Sequence, residues 1–257
     1  MAEFSRDAEC GFVLVDEKSL DALQNAKVGK RVKLPSGPPW IVVYRTLEDV
    51  SVSRWPVRLF RARVVPPETD RERAKLVSAA RDVLPDAKYT RALHVDLLEE
   101  LYSSVLFGPH GDAVARIVSA ALALDEESAN RLAAVNVPTA DDEYSAAWER
   151  WLASQPHGMR SSGRDHTGTV NISGVGPLAS PIRDGFNLIM RAVEDSAHLR
   201  GGAESFAEDE DGDLVMVDPW RSAAHAMLHA AMALGAPHLV DARAAAVLTS
   251  AWKTEMR

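Results

Sequence analysis

A single cysteine, Cys10, stands in 257 residues. One thiol cannot close an intramolecular disulfide or build a cysteine-based zinc site, so the chain fits a reducing, cytoplasmic setting. Long apolar runs are also missing. No stretch approaches the ~20 residues that a membrane span needs, and charge interrupts the Ala-rich segments. The N-terminal MAEFSRDAECGF lacks the charged-then-apolar layout of a signal peptide. A cytoplasmic protein with no membrane partner is the expectation. Positive charge is in deficit: the formal net charge is −8, which disfavours nucleic-acid binding by the whole molecule and leaves room only for a local basic patch. Glycine signatures are absent as well. There is no GxxxxGK[ST] loop and no GxSxG elbow, and Gly174-Val175-Gly176 lacks the third glycine of a dinucleotide fingerprint. No cofactor is implied, and no motif fixes a reaction.

What is present is enough apolar material for a core, 46% of residues against 26% charged, in a length that suits one large domain or two ordinary ones. The pattern changes near residue 106. Before it, Gly11–Val15 is a short apolar strand, and Asp16–Asn25 reads as a helix with Leu20 and Leu23 inward. Arg31–Leu34 and Ile41–Arg45 flank Pro35-Ser36-Gly37-Pro38-Pro39 and predict a hairpin. Ser51–Trp55 and Val57–Val65 extend the same sheet. Thr69 and Glu72 form a capping box for a helix over Arg73–Leu84, Tyr89–Asp96 adds a strand, and Leu97–Leu106 reads as a helix. Residues 1–105 are thus expected to form an α+β domain around a small antiparallel sheet.

Residues 106–257 read as mainly helical. Val114, Ile117, Val118, Ala121 and Leu122 recur at the spacing of one helical face, after a start marked by Pro109 and Asp112. Helices follow over Asp125–Asn136 and over Ala140–Ser154, the latter capped by Thr139 and Asp142 and carrying a core stripe of Tyr144, Trp148, Trp151 and Leu152. Residues 155–177 form one long loop, within which Thr167–Ser173 has the makings of a short strand. A helix then runs from Ser180-Pro181 to Gly201-Gly202, and a hairpin over 203–217 turns on an Asp-Gly pair. Asp218-Pro219 opens a helix to Leu234, and a last helix covers Leu239–Trp252. The fold class is α+β, a small antiparallel sheet followed by a mainly α-helical domain.

Five groups of residues carry candidate chemistry. His225 and His229, at i and i+4 on a helix, have zinc-ligand spacing, but Ala226 stands where a metalloprotease has Glu and no third ligand is identifiable; no metal site is assigned. Asp209, Asp211 and Asp213 lack the glycine and twelfth-position carboxylate of an EF-hand and read as a turn. Arg54, Arg58, Arg61 and Arg63 crowd one strand, either as a phosphate-binding surface or as a solvent-facing edge. His110 sits at a helix start, where free N–H groups can hold an anion. Arg164 and His166 lie in the long loop, a place where catalytic lids occur. The ligand-binding candidates are therefore Arg58, Arg61, Arg63, His110, Arg164 and His166.

The segments LPSGPPW (34–40), RWPVRLFRARV (54–64) and YTRAL with LFGPHGDAVARI (89–93, 106–117) resemble a group of uncharacterised proteins from high-GC bacteria. Those proteins pair a β-rich front with an Ala- and Trp-rich helical tail. The resemblance covers about the first half of the chain and implies no activity. The leading expectation is a non-enzymatic interaction or regulatory protein with a protein partner or a second copy of itself, since Ala-rich amphipathic helices pack on partner helices; a small-molecule ligand is left open. One alternative is an enzyme with a pocket between the domains, His110, Arg164 and His166 as its polar groups, and the 155–177 loop as its lid. Another is phosphate or nucleic-acid binding through the Arg54–Arg63 strand.

Overall fold

The α+β class is observed, in a computed structural model that describes residues 10–35, 37–81, 87–135, 137–154, 161–164, 170–172, 182 and 184–255. The chain divides into two compact units, Met1–Leu106 and Phe107–Arg257.

The first unit is built on a six-stranded sheet. Its strands are β1 (Cys10–Val15), β2 (Arg31–Lys33), β3 (Ile41–Tyr44), β4 (Arg58–Val65), β5 (Tyr89–Ala92) and β6 (His94–Leu101). They lie in the order β2-β6-β4-β1-β3-β5, each pair antiparallel. Alternation along the strands turns Val13, Val15, Ile41, Val43, Phe60, Ala62, Val95 and Leu97 into one core, as the period of two requires. Leu23 of α1 (Asp21–Gln24) and Leu76 of α2 (Asp70–Arg81) pack on it. The capping box of α2 is formed as expected, with Glu72 N–H donating to Thr69 Oγ1 and Thr69 N–H to the Glu72 carboxylate.

Three expectations in this unit are corrected. The predicted hairpin of Arg31–Leu34 with Ile41–Arg45 does not form, because β6, β4 and β1 lie between β2 and β3. Four inter-strand steps are about 19 Å, which an extended proline-rich connection spans and a tight turn cannot. Ser51–Trp55 is not a strand; it is irregular chain with Val52 buried, ending at Pro56. Leu97–Leu106 is not a helix. Leu97–Leu101 continues β6, and a 3-10 turn covers Ser103–Phe107. Leu and Glu are good helix formers, yet pairing with β4 outweighs that preference.

The second unit is helical, with α3 (Gly111–Ala123), α4 (Glu126–Ala134), α5 (Thr139–Ala153), α6 (Gly185–Ser196), α7 (Trp220–Gly235), α8 (Ala242–Leu248) and α9 (Ser250–Glu255). In α3, Val114, Ile117, Val118 and Ala121 are buried as the spacing predicts, whereas Leu122 is 38% exposed and belongs to the rim. The cap of α4 is Asp125, which accepts from Ser128 N–H. No side-chain cap closes α5, so Thr139 does not play that role. Tyr144, Trp148 and Trp151 are buried, and Leu152 is half-buried. The 155–177 segment is more than a loop: β7 (Ser161–Arg164) pairs antiparallel with β8 (Val170–Ile172). The expected last helix is broken in two at Thr249, whose hydroxyl donates to Ala245 O.

The centre of this unit is α7, buried on nearly every side and packed by α3, α4, α5, α6, α8 and α9. A helix apolar all round must be enclosed, and its alanines let neighbours approach closely. At Gly235 even a methyl group has no room, since a Cβ would fall 2.6 Å from Val114 Cγ2. Between α6 and α7 the chain makes a π-helical turn, Ala197–Gly201, and then the hairpin of β9 (Phe206–Glu208) with β10 (Leu214–Met216). Among the described residues no helix is long and apolar enough to cross a membrane.

Candidate functional site

The arginine strand is matched by carboxylates of its neighbour. Arg58 makes a two-pronged contact with Glu100 at 2.7 and 2.9 Å, its guanidinium 4.7 Å above the Phe60 ring. Arg63 and Arg31 stand opposite Asp96 from both sides, at 3.2 and 2.6 Å. Arg61 faces Glu99 across the register. Arg54 lies before the strand and reaches Glu17 at 3.2 Å. The pairs hold Asp96 and Glu100 below the usual carboxylate range, through Arg31 and Arg58 respectively. Opposite charges at directly facing positions are a sheet-pairing device.

His110 is the residue before α3, exposed, with no side-chain capping bond. Arg164 ends β7, and His166 lies outside the described residues. His225 and His229 converge as the i, i+4 spacing predicts, but on a carboxylate. Asp141 Oδ1, from the first turn of α5, is 3.1 Å from His229 Nε2 and 3.5 Å from His225 Nδ1. Among the described residues no three His, Cys, Asp or Glu side chains are arranged to hold a metal ion.

One of these histidines opens onto a groove of about 380 Å³, which no spacing in the sequence announces. Its walls come from three successive elements. The end of α6 contributes Met190 and Glu194, and the π-helical turn carries His198. Such turns place an extra residue in the helix and frequently mark functional sites. Here the turn lays the His198 ring flat on Phe206 of β9, 3.9 Å away at 16°. The turn is seated by Gly201, where a Cβ would fall 2.7 Å from Trp220 Nε1. The hairpin supplies the second wall through Phe206, Leu214, Val215 and Met216. Its acidic tip is folded by Asp209, whose carboxylate accepts from Asp211 and Asp213 N–H, with Gly212 at φ +84°. The third wall is the first turns of α7, Arg221, Ala224 and His225. Asp218 starts that helix by accepting from the Ser222 hydroxyl at 2.6 Å and lies 3.5 Å from Arg221.

The electrostatics are set by burial. His225 is driven below the usual imidazole range by desolvation, helped by His229 and Arg221 and opposed by Asp141. Asp141 is held low, chiefly by hydrogen bonding to His229. Glu194 is pushed up, first by desolvation and then by the charge of Asp195, against weaker pulls from Arg191 and His198. The groove thus presents an imidazole held below its usual range and a carboxyl held above its own.

A pH dependence follows. The unfolded chain takes up the His225 proton near pH ~6.5, and the folded protein does so only at lower pH. Stability is therefore full above that pH and falls on acidification. The lowered Asp141 adds a further loss, in the acid range below about 3.8. The urea midpoint is expected to fall between about pH 7.5 and pH 5.5, and His225→Asn to flatten that slope. Equal slopes in the two proteins would contradict the burial of a neutral His225.

No family model, curated protein or solved structure matches the chain.

Proposed function

We propose that the protein acts by binding, its second unit taking a small, partly apolar ligand into the groove between α6, the β9–β10 hairpin and α7, in an interaction or regulatory role. The observation that carries this is the composition of the groove. Met190, Met216 and Ala224 offer an apolar surface, and Glu194, His198, Arg221 and His225 converge on it. Ligand sites combine those two properties at volumes of about 300–1,000 Å³, and this groove lies at the small end. Methionine thioethers adapt to the shape of a guest. Leu214, 68% exposed at the edge, gives an incoming apolar group a first contact.

The test uses ¹³C-methyl-methionine NMR with 3-phenylpropan-1-ol as the probe. The Met190 and Met216 methyls are expected to shift, and those of Met227 and Met232, fully buried in α7, to stay. If neither groove methyl moves with this alcohol, nor with the amine or carboxylate of the same skeleton, the reading fails.

A second reading rests on His225 alone. A neutral imidazole backed by Asp141 and facing a groove is the arrangement of a general base, so the same site suits a proton-transfer enzyme. In D₂O, 4-phenyl-2-butanone would then exchange its α-hydrogens faster with the native protein than with His225→Asn. Equal rates exclude this role.

A further inference from the structure

The groove is built from an acidic part of the chain. Residues 185–235, which include all three of its walls, contain nine carboxylates against three arginines, so they hold −6 of the formal −8. A concave surface with low-dielectric walls in a region of one sign focuses that field and concentrates ions of the opposite sign.

Of the three arginines in this stretch, Arg191 lies one turn before Glu194 and pulls on its carboxyl without pairing with it, and the other two are engaged. Arg200 donates to Leu124 O and to Ser196 Oγ, and Arg221 is answered by Asp218. Glu194 differs: among the described residues no basic side chain lies within ion-pair distance of it. Beside it, the stacked His198 and Phe206 rings offer an aromatic surface, and a ring face attracts cations. Deeper in, burial keeps the His225 imidazole uncharged, so it does not repel a cation.

We infer that the ligand of this groove is a small organic cation, an amine or guanidinium on an apolar body, with its charge at Glu194 and its body against Phe206 and Met216. The inference rests on the binding reading above and adds the sign of the ligand's charge. A cation also relieves what Glu194 bears in the free protein, partial burial beside the like charge of Asp195. Affinity consequently weakens as acid protonates Glu194, and it weakens in salt.

Calorimetric titration of the full chain with 3-phenylpropylamine, 3-phenylpropan-1-ol and 3-phenylpropionate separates the possibilities, because the three share a skeleton and differ in charge. The amine is expected to bind tightest and the carboxylate weakest, with about a ten-fold gap between them, as one incompletely screened charge pair allows. Added salt weakens the amine and leaves the alcohol unchanged. Glu194→Gln brings the amine to the level of the alcohol without lowering the unfolding midpoint at neutral pH. A carboxylate that binds as well as the amine, or an amine indifferent to Glu194→Gln, overturns the inference while the groove reading survives. Failure of all three probes to bind sinks both.

Discussion

Trp220→Ala is expected to lower stability by about 3–5 kcal/mol, the range for removing a fully buried indole, and to take the groove with it. Trp220 is 2% exposed and opens α7. The π-helical turn rests on it so closely that Gly201 has no room for a methyl group. Ser205 O, at the base of the hairpin, accepts from Val217 N–H three residues before the indole. Removing the ring leaves a cavity under the turn that carries His198. A urea titration should show a lower midpoint with little change in slope, and the amine probe should lose affinity even where the variant is folded. Trp220→Phe, which keeps part of the volume, should fall between. A variant that is destabilised but binds normally would mean that Trp220 supports the helices and not the groove.

The second large effect lies in the sheet. Gly11→Val is expected to cost about 3 kcal/mol, the upper end for forcing volume into a packed site. Gly11 is in β1, between β4 and β3. A Cβ there collides with the carbonyl oxygen of Tyr44, a backbone atom that cannot rotate away, and falls 2.8 Å from Val43 Cγ1. Glycine inside a strand often marks such a close approach of another backbone. The check is the urea midpoint of Gly11→Val beside Phe12→Val, the neighbouring half-buried position, which should lose much less. Equal losses would show that crowding at Gly11 does not set the cost.

How much of this was legible in the sequence depends on whether the signal was local. Val114, Ile117, Val118 and Ala121 announced the buried face of α3, Thr69 and Glu72 the start of α2, and Asp211-Gly212 the hairpin turn, because each is decided within a few residues. Leu97–Leu101 was misread because its helix-forming composition is local, and the pairing with β4 that overrides it is not. That one error hid two partners of the arginine strand, since Glu99 and Glu100 stand on the part of β6 read as helix. The proline segment 35–39 was misread as a tight turn for a similar reason: its prolines mark a connection without saying how far it must reach. In the helical unit, the i, i+4 spacing exposed His225 and His229, but Asp141 comes from another helix and no spacing points to it. Glu194, His198, Phe206 and Arg221 had no signal of their own. They meet only because a π-helical turn and a hairpin fold back between α6 and α7.

The most direct test is a crystal structure of the protein with 3-phenylpropylamine. The account predicts the aromatic ring between Phe206 and Met216, and the ammonium about 3 Å from the Glu194 carboxylate. A probe bound elsewhere with this groove unoccupied, or one whose ammonium points away from Glu194, would contradict it.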